Sequence, residues 1–137
     1  MNETVKNLVN GLDGIRRSIL LVEDDKYDRE LALIAFQSIR DRFQIDVALN
    51  GREAKEHLVR QDCDIIFLDL KLPVEDGVSV LQYCKVHAPK IPIVIVTAYP
   101  DSELMKRAPI MSYVGMVTKP LTKEIVIEIL RKHRLLV

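Results

Sequence analysis

Asp69 closes a short apolar run, Ile65, Ile66, Phe67 and Leu68, and an earlier run, Ile19 to Val22, closes in Glu23, Asp24 and Asp25. Runs this short and this apolar, rich in β-branched and aromatic residues, read as buried parallel strands. In open parallel sheets the carboxyl ends of the strands are where ligands bind. Two neighbouring strands with acidic ends would aim several carboxylates at one place. Like charges at that range repel and raise one another's pKa, so the group requires a cation or a proton between its members. One acid at one strand end reads as ordinary solvated loop charge; convergence of two strand ends predicts a divalent-metal site. Asp24 and Asp69 are the expected direct ligands, with the longer Glu23 reaching the ion through water. Few, hard oxygen ligands favour Mg²⁺, which keeps waters and shares phosphate oxygens.

Two further residues belong to the same chemistry. Thr97 ends the run Ile93 to Val96, and its hydroxyl can donate to an anionic oxygen, with the small Ala98 beside it leaving room. Lys119 follows the last apolar run and precedes Pro120, and its ammonium is suited to pair with Asp69 at rest and with a phosphoryl oxygen later. Taken singly, Thr97 reads as a strand former and Lys119 as a surface lysine. A metal, a lysine, a hydroxyl and a carboxylate together describe a phosphoryl site, in which positioning and charge neutralisation do most of the catalysis. Asp69 is then the nucleophile that forms an acyl phosphate.

Positioning these groups requires a sheet. Strands are expected at residues 18–23, 43–49, 63–69, 92–97 and 112–117. The second run alternates, with Phe43, Ile45, Val47 and Leu49 on one side and Gln44 and Asp46 on the other. Helical spacing fills the gaps. A helix over about residues 26–40 places Leu31, Ile34, Ala35 and Ile39 on one face. Others cover about residues 51–60 with Ala54 and Leu58, and about 76–87 with Val80, Leu81 and Cys84. A fourth starts near Asp101 or Ser102 and stops by Ala108, because Pro109 disfavours helix before it. A fifth begins after Pro120 and runs to about His133. Strict β-α alternation with right-handed crossovers predicts an α/β, flavodoxin-like, doubly wound fold, with five parallel strands in the order 2-1-3-4-5. The switch point then falls between the first and third strands, where Glu23, Asp24 and Asp69 meet.

Composition narrows the function classes. The chain has 137 residues, 20 basic against 20 acidic, which argues against a non-specific nucleic-acid binder. No apolar stretch approaches ~18 residues, so no membrane span is expected. Residues 1–15 read as an extension outside a domain of residues 16–137, without the apolar core of a signal peptide. Cys63 and Cys84 lack metal-type spacing and are expected to be reduced, buried packing residues of a cytoplasmic protein.

The ordered motifs resemble those of the receiver domain of two-component response regulators, over about residues 16–135. The acidic pair Glu23 and Asp24, the phosphoacceptor Asp69, Pro73 and Gly77 after it, Thr97, and the Lys119-Pro120 pair stand at compatible separations. The resemblance implies Mg²⁺ held also by the backbone carbonyl of Lys71. It implies a phosphoryl group received from a sensor histidine kinase or a histidine phosphotransfer protein, and output through contact of helix 4, strand 5 and helix 5 with a downstream protein. It implies a domain that catalyses its own phosphorylation and dephosphorylation rather than a turnover enzyme. Positions such as Lys71 and Tyr99 flank the mouth of the site in the family and tune hydrolysis. Two features depart from the family pattern. Met116 stands where an aromatic residue is usual, with Tyr99 and Tyr113 as substitutes nearby, and Pro109 interrupts the stretch Arg107 to Met111.

The fifth helix carries more apolar surface than one core stripe needs. That surplus marks either a homodimer or partner face, or a surface covered by the tail Leu135 to Val137. Two other functions use similar groups. A receiver-like binding module would lack phosphotransfer. A Mg²⁺-dependent phosphatase with an aspartate nucleophile would carry a second Asp where Lys71 stands.

Overall fold

The computed structural model of the chain describes residues 17–108 and 112–137. Strands β1 (Arg17–Val22), β2 (Phe43–Ala48), β3 (Ile65–Leu68), β4 (Ile93–Thr97) and β5 (Gly115–Thr118) form one parallel sheet in the order β2-β1-β3-β4-β5. Helices α1 (Lys26–Ala35), α2 (Gly51–Arg60), α3 (Gly77–His87), α4 (Glu103–Arg107) and α5 (Lys123–Lys132) alternate with the strands. This is the expected flavodoxin-like, doubly wound arrangement. Residues 1–15, Pro109 and Met111 lie outside the described residues.

Each helix begins where a short polar side chain replaces the missing backbone acceptor of its first turn. Asp25, Asn50, Asp76, Ser102 and Thr122 each accept a hydrogen bond from the backbone N–H three residues on. Such a cap is worth about 1 kcal/mol, enough to fix each starting residue.

The sheet divides the interior into two apolar layers. Ile19, Leu21, Ile65, Phe67, Val94 and Val96 face the layer that includes Ala32, Ala35 and Phe36 of the α1 segment and Val126 and Leu130 of α5. Leu20, Val22, Ile66, Leu68, Ile93 and Ile95 face the layer that includes Ala54 of α2 and Val80, Leu81 and Cys84 of α3, with Leu104 and Met105 of α4 packed against it. Successive strand residues point to opposite sheet faces, so every central strand is apolar on both sides. Phe36 and Phe67 meet edge to face in the first layer, with ring centroids 5.2 Å apart.

Three local expectations are corrected. Helix α1 stops at Ala35 and tightens into a 3₁₀ turn, Gln37–Ile39, rather than running on to 40. Its buried positions are Ala32 and Ala35, followed by Phe36 and by Ile39 of the 3₁₀ turn, while Ile34 is 58% exposed; the helix is turned so that two alanines let it approach the sheet. Strand β2 is an edge, and although Phe43 is buried, Val47 and Leu49 at its far end are exposed. Cys63 and Cys84 are free and buried, as expected. Burial pushes the Cys63 thiol up to about 12, with the nearby Cys84 adding to the effect, and pushes Cys84 up to about 11, which leaves both unreactive.

The chain after α5 folds back. Leu135 N–H donates to the Leu130 carbonyl at 2.8 Å and Arg134 N–H to that of Arg131 at 3.0 Å, the paired bonds of a Schellman cap. Leu135 and Leu136 pack against the first layer, as do Ile125 and Ile129 of α5. The cap requires Arg134 at φ 58°, a conformation that suits glycine. Arg134→Gly is expected to raise stability by about 0.5–1 kcal/mol, the left-handed penalty less the entropy glycine adds to the unfolded chain. Urea unfolding of the two proteins measures the difference.

Candidate functional site

Register builds the site. Val22 of β1 pairs with Leu68 of β3, so Glu23 and Asp69 are the next residues along on neighbouring strands. The strands keep their direction beyond these ends, through Glu23 N–H to the Ala48 carbonyl at 3.0 Å and Asp69 N–H to the Val22 carbonyl at 3.1 Å. Both side chains are buried, Glu23 to 4% and Asp69 to 8% exposure, whereas Asp24 is exposed. Carboxylate oxygens of Glu23, Asp24 and Asp69 all lie within 4.8 Å of one another. This is the predicted acidic convergence, with Glu23 itself inside the cluster rather than at its margin.

Lys119 is the counter-charge. Its Nζ lies 2.7 Å from Glu23 Oε1, 2.9 Å from Asp28 Oδ2 and 3.0 Å from Asp69 Oδ2. The residue is delivered by β5, whose last pair is Thr97 with Thr118, and by Lys119 N–H donating to the Thr97 carbonyl at 2.8 Å. The Lys119-Pro120 bond is cis. Burial alone would pull the Lys119 ammonium down, but its hydrogen bonds to Glu23, Asp28 and Asp69 outweigh burial and raise it well above the usual lysine range. Burial pushes Glu23 up to about 7, and the charge of Asp69 adds to this against the opposing hydrogen bond from Lys119. One ammonium thus serves three carboxylates, Glu23, Asp28 and Asp69.

Both oxygens of Asp69 are engaged, Oδ2 by Lys119 and Oδ1 by the Lys71 N–H at 3.1 Å. Thr97 is buried, and its Oγ1 accepts the Tyr99 N–H at 3.0 Å, which leaves its hydroxyl proton free to donate. Asp24, Asp69, Lys71, Thr97, Tyr99 and Lys119 line one open cavity of about 390 Å³. Asp24, Asp69, Thr97 and Lys119 therefore line one cavity, and Glu23 joins them through Lys119 and the carboxylates of Asp24 and Asp69. Asp28 escaped the sequence reading. An acid in the first turn of a helix ordinarily reads as a complement to the helix dipole, and only its place at the carboxyl edge of the sheet marks it otherwise.

Met116 does not replace an inward-facing ring. It is 42% exposed on the edge strand β5, while Tyr113 packs against the second layer and Tyr99 stands exposed at the cavity mouth. Alternation explains this, because Val117 packs inward and its neighbour Met116 turns out.

The segment after Asp69 is held by close backbone approach. Gly77 N–H donates to the Leu70 carbonyl at 2.8 Å. A Cβ at Gly77 would lie 2.5 Å from Leu70 Cα and 2.6 Å from the Asp69 carbonyl oxygen. Any side chain there would push α3 away from the residue that carries the buried carboxylate.

A sequence model of the response regulator receiver domain matches residues 19–131. The chain belongs to that family. The receiver is 30% identical over 113 residues to the chemotaxis protein CheY of Halobacterium salinarum, covering 82% of this chain and 92% of CheY. It is 25% identical over 114 residues to sporulation initiation phosphotransferase F of Bacillus subtilis, covering 83% of this chain and 91% of that protein. It also matches the response regulator protein PilR of Pseudomonas aeruginosa, 31% identical over 107 residues, but spans only 23% of that protein. Among solved structures, the bacteriophytochrome response regulator AtBRR is 30% identical with a TM-score of 0.78, over 90% of this chain and 96% of that one. The chain is thus a receiver domain of two-component signalling. No helix among the described residues is long and apolar enough to cross a membrane.

Two outcomes test this geometry. Gly77→Ala should cost about 2–3 kcal/mol in urea unfolding, as expected for overpacking between two backbones. Glu23 has a folded pKa raised above its usual value, so between pH 4.5 and about 7 the folded receiver binds more protons than the unfolded chain. Its contribution to stability is complete below pH 4.5 and is lost as pH rises through about 7. In metal-free buffer, Glu23→Gln should flatten the fall in the unfolding midpoint across that window; an unchanged slope would remove Glu23 as its source.

Proposed function

We propose that the domain of residues 16–137 is a phosphorylation-driven switch whose phosphoacceptor is Asp69, supplied by a sensor histidine kinase or a histidine phosphotransfer protein. The observation that carries this reading is the buried Asp69 carboxylate, 3.0 Å from the Lys119 ammonium within a cluster that also holds Glu23 and Asp24. In the transfer, an Asp69 oxygen forms the new P–O bond as the donor's bond to phosphorus breaks. Lys119 takes a phosphoryl oxygen, and the Thr97 hydroxyl donates to another from the opposite side of the cavity.

The donor set fits magnesium, being oxygen-only and short of positive charge. At the observed spacing, an effective dielectric of about 20 gives a repulsion of about 3–4 kcal/mol for each ionised carboxylate pair. Asp24, Asp69 and the Lys71 backbone carbonyl would hold the ion directly, and Glu23 would reach it through water. When bound, it would neutralise the cluster and stabilise charge on the transferring group.

The phosphoryl group adds about −1.5 to −2 charge, and the reading predicts that Thr97 and Lys119 draw the loops after β4 and β5 towards it. The face of α4, β5 and α5 is the proposed output surface for a downstream protein or a second copy of the chain. Exposed Val114 and Met116 on and beside β5 support contact there. A module that transfers the group once and then loses it by hydrolysis is not a turnover enzyme.

Incubation with acetyl phosphate and Mg²⁺ should add about 80 Da to the intact protein, the mass of one phosphoryl group. Asp69→Asn should abolish the adduct, and chelation of Mg²⁺ should suppress it. An adduct that survives Asp69→Asn, or sustained turnover of a phosphoester, would overturn the assignment.

A further inference from the structure

Lys119 Nζ has three N–H bonds and meets three carboxylates, so every donor has an acceptor. Two of these acceptors, Glu23 and Asp69, belong to the acidic cluster with Asp24. Asp28 does not. It sits in the first turn of α1, 91 residues from Lys119, with its own backbone N–H tied to the Asp25 carboxylate at 2.8 Å. A helix turn locked by its cap therefore presents a fixed carboxylate to the end of a flexible four-carbon stem.

We propose that Asp28 is a positioning residue that keeps the Lys119 ammonium seated over Asp69 while the cluster carboxylates are engaged elsewhere. The inference rests on the phosphoacceptor reading above. When a phosphoryl group is esterified to Asp69, that carboxylate loses its charge and one oxygen to the new bond. Glu23 meanwhile faces the cation that the cluster would hold. Asp28, which lies outside that cluster, is the carboxylate whose hold on Lys119 neither event disturbs. The N–H that points at Asp69 Oδ2 can then turn to the adjoining phosphoryl oxygen, pivoting about a nitrogen that α1 holds in place. The pivot breaks and makes hydrogen bonds only, so no further reactant is needed.

The test compares wild type, Asp28→Ala, Asp28→Asn, Lys119→Ala and the Asp28→Ala/Lys119→Ala pair. The rate of Asp69 labelling by acetyl phosphate at saturating Mg²⁺ is followed by intact mass, and Mg²⁺ affinity by calorimetry. Loss of an outer partner that orients a working side chain commonly costs tenfold or more, and Asp28→Ala is expected to slow labelling about tenfold. Asp28→Asn keeps an acceptor oxygen and should stay within about threefold of wild type, since a neutral acceptor is roughly half as strong. Mg²⁺ affinity should hold in both. Adding Asp28→Ala to Lys119→Ala should cost nothing more, because a residue acting through the lysine has no effect without it. A wild-type rate in Asp28→Ala, a further loss in the pair, or a parallel fall in Mg²⁺ affinity would overturn the inference. Wild type that takes up no label would instead sink the phosphoacceptor reading, and this one with it.

Discussion

A single half-buried ammonium holding three carboxylates, all within 3.0 Å, is the contact on which the carboxyl edge of the sheet depends. Three parts of the chain remote in sequence meet there: the segment leading from β1 into α1, the end of β3 and the loop after β5. Without Lys119 the acids would repel across a poorly hydrated space, and burial of Glu23 would have to be met by protonation alone. With it, the cluster is tolerable but still short of positive charge, since one ammonium serves several carboxylates. That imbalance is what makes the family's cation chemistry physically sensible at this site.

The scaffold keeps this arrangement by rigid means. Five capped helices begin at residues set by side-chain oxygens rather than by packing alone. Beyond Asp69, backbone lies against backbone at Gly77, and Gly51 similarly donates to the Glu75 carbonyl at 2.8 Å with no room for a Cβ. Between these contacts the exposed Val74 is held at φ 67°, a conformation uncommon for a β-branched residue. The turn is fastened at both ends and carries its strain in the middle.

The five strands and the helix order were legible in the sequence because each central run is apolar on both faces and each gap has helical spacing. The acidic ends of β1 and β3 were legible for the same reason, since parallel register puts them side by side. Rotation of α1 was only partly legible: of the expected face Leu31, Ile34, Ala35 and Ile39, Ala35 and Ile39 are buried, whereas Ile34 turns out and the smaller Ala32 faces the core in its stead. Asp28 was hidden behind a local explanation that is true as well, since it does lie in a capped first turn. The outward turn of Met116 depended on strand phase, and the strand proved to begin at Gly115, three residues later than its apolar run suggested.

The division of the interior by the sheet has a mechanical consequence. Glu23 and Asp69 continue the alternation of the face that packs on α1 and α5, whereas Thr97 continues that of the face packed on α2, α3 and α4. A ligand gripped at once by the lysine and the threonine would load two separately packed slabs from their common rim.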